Sequence, residues 1–182
     1  MTAVIGLDLS LTSTGVATVT DGGQALTAQI RPSATLTGYP RLQWLLEQIH
    51  QHATDTRLVL VEGPSYGSGS KGRQSGQHER AGLWWAVTYR LWRNNITFAV
   101  VSPANLKKYA TGKGNASKDA VLIAAARRYQ DVYIDGNDEA DALILAAMGA
   151  DYLGFPLAVV PKVNRGALDS VEWPDLVAFT TV

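Results

Sequence analysis

The first thirty-one residues alternate between apolar, β-branched runs and turn signals, and this pattern restricts the fold more than any other feature of the sequence. Three runs with strand character lie at Thr2–Ser10, Gly15–Thr20 and Gln24–Arg31. Two more short apolar runs follow at 57–62 and 96–101, among stretches with helical spacing. A meander followed by alternating helices and strands predicts an α/β fold with a mixed five-stranded sheet flanked by helices.

Helical periodicity and capping residues predict the elements around this sheet. The predicted helices span 39–53, 78–93, a segment that starts at Ser102-Pro103, 117–129 and 137–152, with Asn137 capping the last one. The tail from Phe155 contains three prolines, and we expect a short strand at Leu157–Val160. A chain of 182 residues without a linker predicts one domain over 1–182, with a core of about 3–152 and a tail, 153–182, whose role stays open.

Composition excludes several classes of protein. The chain is 46% hydrophobic and 18% charged, which excludes a disordered chain or a fibre. It has no cysteine, and therefore no disulfide scaffold, thiolate zinc site, iron–sulfur cluster or cysteine nucleophile. No apolar run reaches the ~20 residues of a membrane span, and the first residues lack the features of a signal peptide. We therefore expect a soluble cytoplasmic protein without a membrane partner.

The charges balance overall but are segregated along the chain. Sixteen basic and sixteen acidic residues give a net charge of zero. Residues 57–118 carry ten basic and two acidic side chains, whereas residues 119–182 carry four basic and ten acidic ones. A basic middle between acidic ends predicts one surface for a polyanion, with carboxylates clustered elsewhere.

Four carboxylates stand out because they lie in apolar segments. Asp8 lies within Ile5-Gly-Leu-Asp-Leu, where a buried charge is costly unless it is paired or metal-bound. Glu62 ends the next apolar run, where strand ends of an α/β sheet reach a ligand crevice. Asp138 and Asp141 lie three apart, on one face of a predicted helix that is apolar nearly all round.

Each of these carboxylates also has a purely structural interpretation. Asp8 could cap the turn at 10–13, Glu62 could be a solvent-facing strand end, and acids early in a helix favour its dipole. If Asp141 is buried it needs a cationic partner, which is either a Lys or Arg side chain or one or two divalent metal ions held by oxygen ligands.

Taken together, these segments resemble a known family, the RuvC-type Holliday junction resolvases of the RNase H-like superfamily, in particular its phage-type members. The resemblance rests on Ile5-Gly-Leu-Asp8-Leu-Ser-Leu-Thr-Ser-Thr-Gly15, on Val-Leu-Val-Glu62, on the segment 101–118, and on Asn137-Asp-Glu-Ala-Asp141-Ala-Leu. These motifs occur in the family order and span about residues 3–152.

The resemblance implies a structure-selective endonuclease in a bacterial or phage-infected cell. Asp8, Glu62, Asp138 and Asp141 match the family's acidic tetrad, which holds two Mg²⁺ ions, with Mn²⁺ as a substitute. The implied reaction resolves four-way junctions by paired symmetric nicks that leave 5′-phosphate and 3′-hydroxyl ends. Lys118 matches a basic residue that either stabilises charge on the scissile phosphate or contacts backbone phosphate.

The basic middle segment supplies the expected DNA contacts. In the loop 63–77, Lys71 and Arg73 would meet phosphates and Tyr66 would stack on an exposed base, unless this is an ordinary surface loop. Tyr66 is displaced from the family position of an aromatic residue by Gly63-Pro64. The other cations expected at the DNA are Arg80, Lys107, Lys108, Lys113 and Lys118.

The helix after this loop is apolar over more than one face. Trp84, Trp85 and Trp92 are expected on one broad face, beside a stripe of Leu83, Val87 and Leu91. The resemblance implies that the tryptophan face joins two copies into a homodimer, which suits a two-fold symmetric junction. The alternative is a core helix buried on all sides.

Three other functions compete with a junction resolvase. Gly6-Leu-Asp8 followed by Ser10–Gly15 also resembles the first phosphate loop of actin-like kinases, which usually need two such domains and a longer chain. Gly112-Lys113-Gly114 lacks the full phosphate-loop pattern, so we expect no nucleotide cofactor. A nuclease of the same fold acting on other branched DNA or on RNA, and a non-catalytic junction-binding module, both remain open.

Overall fold

The five strands predicted from the sequence form one mixed sheet. The computed structural model describes residues 2–64 and 76–176, and its strands are β1 (Ala3–Asp8), β2 (Thr14–Thr20), β3 (Ala25–Ile30), β4 (Leu58–Glu62) and β5 (Phe98–Val101). Their order in the sheet is β3-β2-β1-β4-β5. The first three strands form the antiparallel meander, whereas β4 runs parallel to β1 and β5 runs parallel to β4. The predicted fold class is confirmed.

The helices begin and end close to the positions indicated by the sequence. They are α1 (Gly38–Ala53), α2 (Gln77–Arg93), α3 (Pro103–Thr111), α4 (Lys118–Arg128), α5 (Asn137–Tyr152) and the short α6 (Lys162–Arg165). The hydroxyls of Ser102 and Ser117 accept N–H bonds of 3.2 Å from the first turns of α3 and α4, and so act as the expected caps. None of the helices in the described ranges has the length and apolar character needed to cross a membrane.

The alternation of side chains along the strands divides the core into two layers. Ile5 and Leu7 point to one face of the sheet, in a cluster with buried residues of α1 and α2. Val4 points to the other face, in a cluster with buried residues of α3, α4 and α5. Asp8 has the same parity as Val4, so the strand geometry places its carboxylate on the face covered by α5.

α5 packs directly on the backbone of the sheet because two strand residues lack a side chain. A Cβ on Gly6 would overlap the carbonyl oxygen of Ala142, and a Cβ on Gly15 would overlap the carbonyl oxygen of Asp138. Every residue from Glu139 to Asp151 is buried. These glycines therefore determine how closely the start of α5 approaches the ends of β1 and β2.

Two sequence predictions near the last long helix are wrong. α5 starts at Asn137, but Gly136 occupies the cap position, and the carboxylate of Glu139 instead accepts the N–H of Asp135 at 2.6 Å. The segment 157–160 is irregular rather than a strand. Pro156 and Pro161 flank it and limit pairing, and Leu157, Ala158 and Val160 pack against the α3–α5 layer of the core rather than at a sheet edge.

The glycine contact makes a stability prediction. We expect Gly6→Ala to lower the free energy of unfolding by about 3 kcal/mol or more, because helix backbone rather than a flexible side chain blocks the new methyl group. Gly22→Ala is the matched control, since a Cβ there has an ordinary contact of 3.7 Å with Thr20. Urea unfolding of both variants checks the difference, and equal stabilities would contradict the proposed packing constraint.

Candidate active site

The two strand carboxylates lie side by side at one edge of the sheet. β1 and β4 are parallel neighbours, with Leu7 opposite Val61, so Asp8 and Glu62 end adjacent strands. Both carboxylates have the parity of the α5 face. Asp8 is 8% exposed, and its carboxyl lies close enough to that of Glu62 for each to shift the pKa of the other. The strand ends thus bring together two acids that lie far apart in sequence.

The first turns of α5 add two more carboxylates above them. Asp141 is 6% exposed, and Asp138 lies one turn earlier on the same helix face. The charge of Asp138 raises the pKa values of Asp8 and Asp141, and the charge of Asp141 raises the pKa of Glu62. The acidic residue between them, Glu139, points elsewhere: its carboxylate accepts from the Thr27 hydroxyl at 3.1 Å and holds the loop before α5. Its place in the Asp-Glu-Ala-Asp run did not reveal this structural role.

The turn after Asp8 does not depend on that carboxylate. The Thr14 hydroxyl donates to the Ser10 carbonyl at 2.8 Å and accepts the Ser10 N–H at 3.0 Å. The Ser10 hydroxyl also accepts the N–H of Ser13 at 3.3 Å. Hydroxyls therefore hold this turn, and the structural interpretation of Asp8 as its cap is not supported.

Burial and mutual repulsion raise the pKa values of the clustered acids. Desolvation, followed by the charge of Glu62, raises the pKa of Asp8 from 3.8 to about 8. Desolvation, followed by the charge of Asp8, raises the pKa of Asp141 from 3.8 to about 7. Burial also raises the pKa of Glu62. Strongly shifted acids in one cluster are typical of a functional site rather than of ordinary surface acids.

Lys118 faces all four carboxylates from the first position of α4. Its ammonium nitrogen lies 4.0 Å from Asp141 Oδ2, and its side chain is 63% exposed. Burial alone would lower the pKa of Lys118, but the negative charges of the four acids outweigh it and the pKa is raised. Lys107 of α3 is a second cation whose charge lowers the pKa values of Glu62 and Asp141.

Three helices begin at this edge of the sheet. Glu62 pairs in register with Val101, the last residue of β5, and α3 starts directly after it. The loop after α3 then returns along that helix: a Cβ on Gly114 would lie 3.3 Å from the Ala104 carbonyl. α4 therefore begins next to the start of α3, close to the start of α5. Their positive dipole ends and the two lysines favour an anion at this edge.

The donor set fits a hard divalent cation, although its side chains do not form a cage as they stand. In the two described segments, no three carboxylate or imidazole groups are arranged so that they could hold a metal ion. Carboxylate oxygens are nevertheless the ligands that Mg²⁺ prefers, and a bound cation would relieve the repulsion that raises the pKa values of Asp8 and Asp141. The carboxylates are thus the right type of ligand for Mg²⁺, and their side chains would have to change rotamer to coordinate one ion together.

The residues predicted to bind DNA differ in their surroundings in the structure. Tyr66, Lys71 and Arg73 lie outside the described residues. Arg80 and Lys113 are exposed, on α2 and in the loop after α3. Lys108 donates from its ammonium to the Gly166 carbonyl at 3.2 Å, so it is engaged with the tail rather than with the carboxylates.

The tryptophans of α2 do not share one face, contrary to the sequence prediction. Trp84 is half-buried against the α1–α2 layer of the core, and its indole N–H donates to the Glu62 carbonyl at 3.0 Å. Trp85 and Trp92 are 69% and 66% exposed, with Tyr89 between them at 60%. Each residue turns a helix by about 100°, so Trp84 points toward the core, although its ring still packs edge to face against that of Trp85, with centroids 5.3 Å apart. The outer aromatic face therefore comprises Trp85, Tyr89 and Trp92.

Solved structures provide the comparison that decides the fold. The chain superposes on Thermus thermophilus RuvC, solved with a Holliday junction substrate, with a TM-score of 0.64 and 19% identity, over 88% of this chain and 100% of that one. The chain has the RuvC fold. The yeast mitochondrial Holliday junction resolvase Ydc2 matches with a TM-score of 0.52 and 12% identity, over 92% of this chain and 80% of that one.

A viral resolvase shares the same architecture at greater distance. The fowlpox virus resolvase, solved with Holliday junction DNA, matches with a TM-score of 0.50 and 12% identity, over 84% of this chain and 99% of that one. No protein-family model and no curated protein matches the sequence. The RuvC fold expected from the motifs is thus found through three-dimensional similarity.

The raised pKa values make a prediction about pH and stability in EDTA. Between pH 3.8 and about 8 the folded protein holds more protons on Asp8 and Asp141 than the unfolded chain does. Stability must therefore fall as pH rises through this window on account of these groups. We expect Asp141→Asn to raise the Tm at pH 8 and to flatten its pH dependence.

The control for this prediction is Asp119→Asn, which changes an exposed acid in the first turn of α4. Thermal melts of the three proteins from pH 5 to pH 8 provide the measurement. A steeper fall of Tm in the Asp141→Asn protein than in the unmutated one would show that the acids are not destabilised by burial.

Proposed function

We propose that this protein is a metal-dependent endonuclease that resolves four-way DNA junctions. The observation that carries the proposal is the meeting of Asp8, Glu62, Asp138 and Asp141 at one sheet edge, with Lys118 facing all four. Acids drawn from two strands and a helix, with their pKa values raised, suit a site that binds cations. The RuvC fold, shared with resolvases solved on junction DNA, supports the choice of reaction.

The proposed chemistry is hydrolysis of a phosphodiester bond. The four carboxylates would hold two Mg²⁺ ions, with Mn²⁺ as a substitute, and the bound metal would activate a water and stabilise the leaving 3′-oxygen. The Asp8 and Glu62 carboxylates lie at the strand ends, and the Asp138 and Asp141 carboxylates lie on the helix that covers them. The metal ions would therefore have carboxylate ligands from the sheet on one side and from α5 on the other. Products with 5′-phosphate and 3′-hydroxyl ends follow from cleavage on the 3′-oxygen side.

The chain's own cations would receive the scissile phosphate. Lys118 keeps its ammonium partly open to solvent, so Nζ can donate to a phosphate oxygen while it stays near Asp141. Its raised pKa keeps it charged at neutral pH. Lys107 lies close enough to act electrostatically on the same site. These two lysines offset negative charge that would otherwise repel DNA from four acids.

We further propose that two copies act together. The outer aromatic face of α2 exposes three large side chains, and an apolar patch of this kind on a soluble protein is typical of an interface. A homodimer related by a two-fold axis would present two sites to a junction with the same symmetry. Paired symmetric nicks would then follow from one binding event.

The proposal is tested by cleavage of a synthetic four-way junction beside duplex, flap, single-stranded and RNA controls, with Mg²⁺, Mn²⁺ or EDTA. We expect Asp138→Asn to lower the cleavage rate by at least about 100-fold while junction binding is retained, because one ligand charge is lost and the DNA-facing cations remain. Gel-based nicking and binding titrations measure the two effects separately.

The matched control is Asp131→Asn, an exposed acid in the loop before α5 that should cut like the unmutated protein. Cleavage of flaps or RNA in place of junctions would support the proposed active site and contradict the proposed substrate. Tight binding without cleavage in either metal would instead favour a non-catalytic junction-binding module. Unchanged cleavage by Asp138→Asn would remove this residue from the site.

The dimer proposal makes a separate prediction. We expect the double variant Trp85→Glu and Trp92→Glu to shift the protein from dimer to monomer in light scattering, because charges replace apolar contacts at the centre of the interface. The two nicks in one junction should then become uncoupled. Tyr133→Glu is the control, since Tyr133 is 79% exposed but lies outside α2. A monomer already in the unmutated protein would refute the interface.

A further inference from the structure

The C-terminal end of α3 receives hydrogen bonds from two other parts of the chain. The carbonyl groups in the last turn of a helix lack intrahelical partners. Arg128, at the end of α4, donates to the Tyr109 carbonyl at 3.1 Å and to the Ala110 carbonyl at 2.7 Å. Asn164, in α6, donates to the same two carbonyls at 2.9 and 3.3 Å. One pair of carbonyls thus joins α3, α4 and the tail.

The tail that carries Asn164 is itself anchored to α5. Asn164 is 5% exposed, and its Oδ1 faces Gly112, where a Cβ would come within 3.4 Å. Its neighbour Arg165 forms a 2.7 Å ion pair with the buried Asp151. Tyr109 also donates its hydroxyl to Asp151 at 3.0 Å. The end of α3 is therefore fixed against the core, not merely capped.

α3 and α4 run side by side in the same direction. Because the intervening loop returns to the first turn of α3 at Ala104, both helices start near the carboxylates. The carbonyl pair bonded by Arg128 lies at their other ends. Ten residues separate Lys118 from Arg128, which is about 15 Å along a helix. A shift at these bonds would be transmitted along α4 to Lys118.

Apolar packing places α4 against α3 and α5, and the Arg128 bonds add a directional contact at its far end. Val121 and Ala125 of this helix are buried, and Leu122 and Ala124 pack half-buried against the same core. The Lys118 ammonium, 4.0 Å from Asp141, is too far for a direct hydrogen bond and is largely exposed. Its position among the four acids therefore depends on where α4 lies against α3 and α5.

We infer that Arg128 and Asn164 are positioning residues, which lock the far ends of α3 and α4 together and thereby hold Lys118 among the carboxylates. The described part of the tail, 153–176, thus has a role in the site although none of its residues lies among the carboxylates. This inference rests on the proposed nuclease function, because its effect on the reaction passes through Lys118.

A double-mutant cycle tests the inference. Arg128→Met and Asn164→Leu, which keep side-chain bulk and lose the donors, should each lower junction cleavage by about tenfold in the presence of Lys118. In a Lys118→Met background the same changes should cost less than about twofold, since the residue through which they act is gone. A merely structural role would give equal losses in both backgrounds, and that result would overturn the inference.

A distance measurement makes the test independent of cleavage. The chain has no cysteine, so spin labels at Asp119→Cys in α4 and Gln51→Cys in α1 report one distance. We expect Arg128→Met and Asn164→Leu to shift or broaden this distance by about 1.5 Å or more, the rise of one helical residue. Trp173→Leu is the control: it removes a ring stacked at 3.9 Å on Tyr152, elsewhere in the tail, and should leave the distance unchanged.

The two readouts separate failure of the inference from failure of the proposed function. If the unmutated protein cuts no junction, or if Lys118→Met leaves no measurable cleavage, the distance alone decides the inference. Unchanged distances in both variants would overturn it whatever the activity. A changed distance in a protein that does not cut would retain the positioning role and refute the nuclease.

Discussion

The contact between α5 and the bare backbone of β1 and β2 is the constraint on which the rest of the site depends. Gly6 and Gly15 leave no side chain between the helix and the sheet. The first turns of α5 therefore contact the ends of β1 and β2 directly. At that depth Asp138 and Asp141 join Asp8 and Glu62, and the same closeness removes solvent from the acids.

Close packing of like charges opposes folding, and the four carboxylates at the ends of β1 and β4 are packed in this way. Desolvation raises the pKa of Asp8 to about 8 and that of Asp141 to about 7, so ionising them costs free energy. Lys118 offsets part of that cost without closing the site, because it stays partly exposed. Departures from ordinary core chemistry of this kind are expected where a protein binds or reacts. The hydroxyl-held turn after Asp8 and the indole bond to Glu62 provide rigid support on either side.

The parts of the fold governed by local pattern could be predicted from the sequence, and those governed by distant partners could not. The apolar runs predicted the strands that carry Asp8 and Glu62, and motif resemblance linked these acids to Asp138 and Asp141. The prediction that Asn137 caps α5 was wrong. Gly136 occupies the cap position, and the Glu139 carboxylate holds the preceding loop through bonds from the Asp135 N–H and the Thr27 hydroxyl of β3.

The surroundings of other side chains also depend on tertiary contacts that no periodicity records. Trp84 turns inward because the Glu62 carbonyl accepts its indole N–H. Lys108 meets the Gly166 carbonyl, in a tail whose path the sequence left open. Two metal ions and a homodimer remain predictions.

The separation of the four acids along the chain determines when they can meet during synthesis of the protein. Asp8 and Asp138 are 130 positions apart, and α5 follows every strand of the sheet. A ribosome-bound chain without α5 carries two of the four acids and lacks the layer that buries them. Such long-range pairing also slows folding. The order of elements thus delays assembly of the carboxylate cluster until most of the chain has been made.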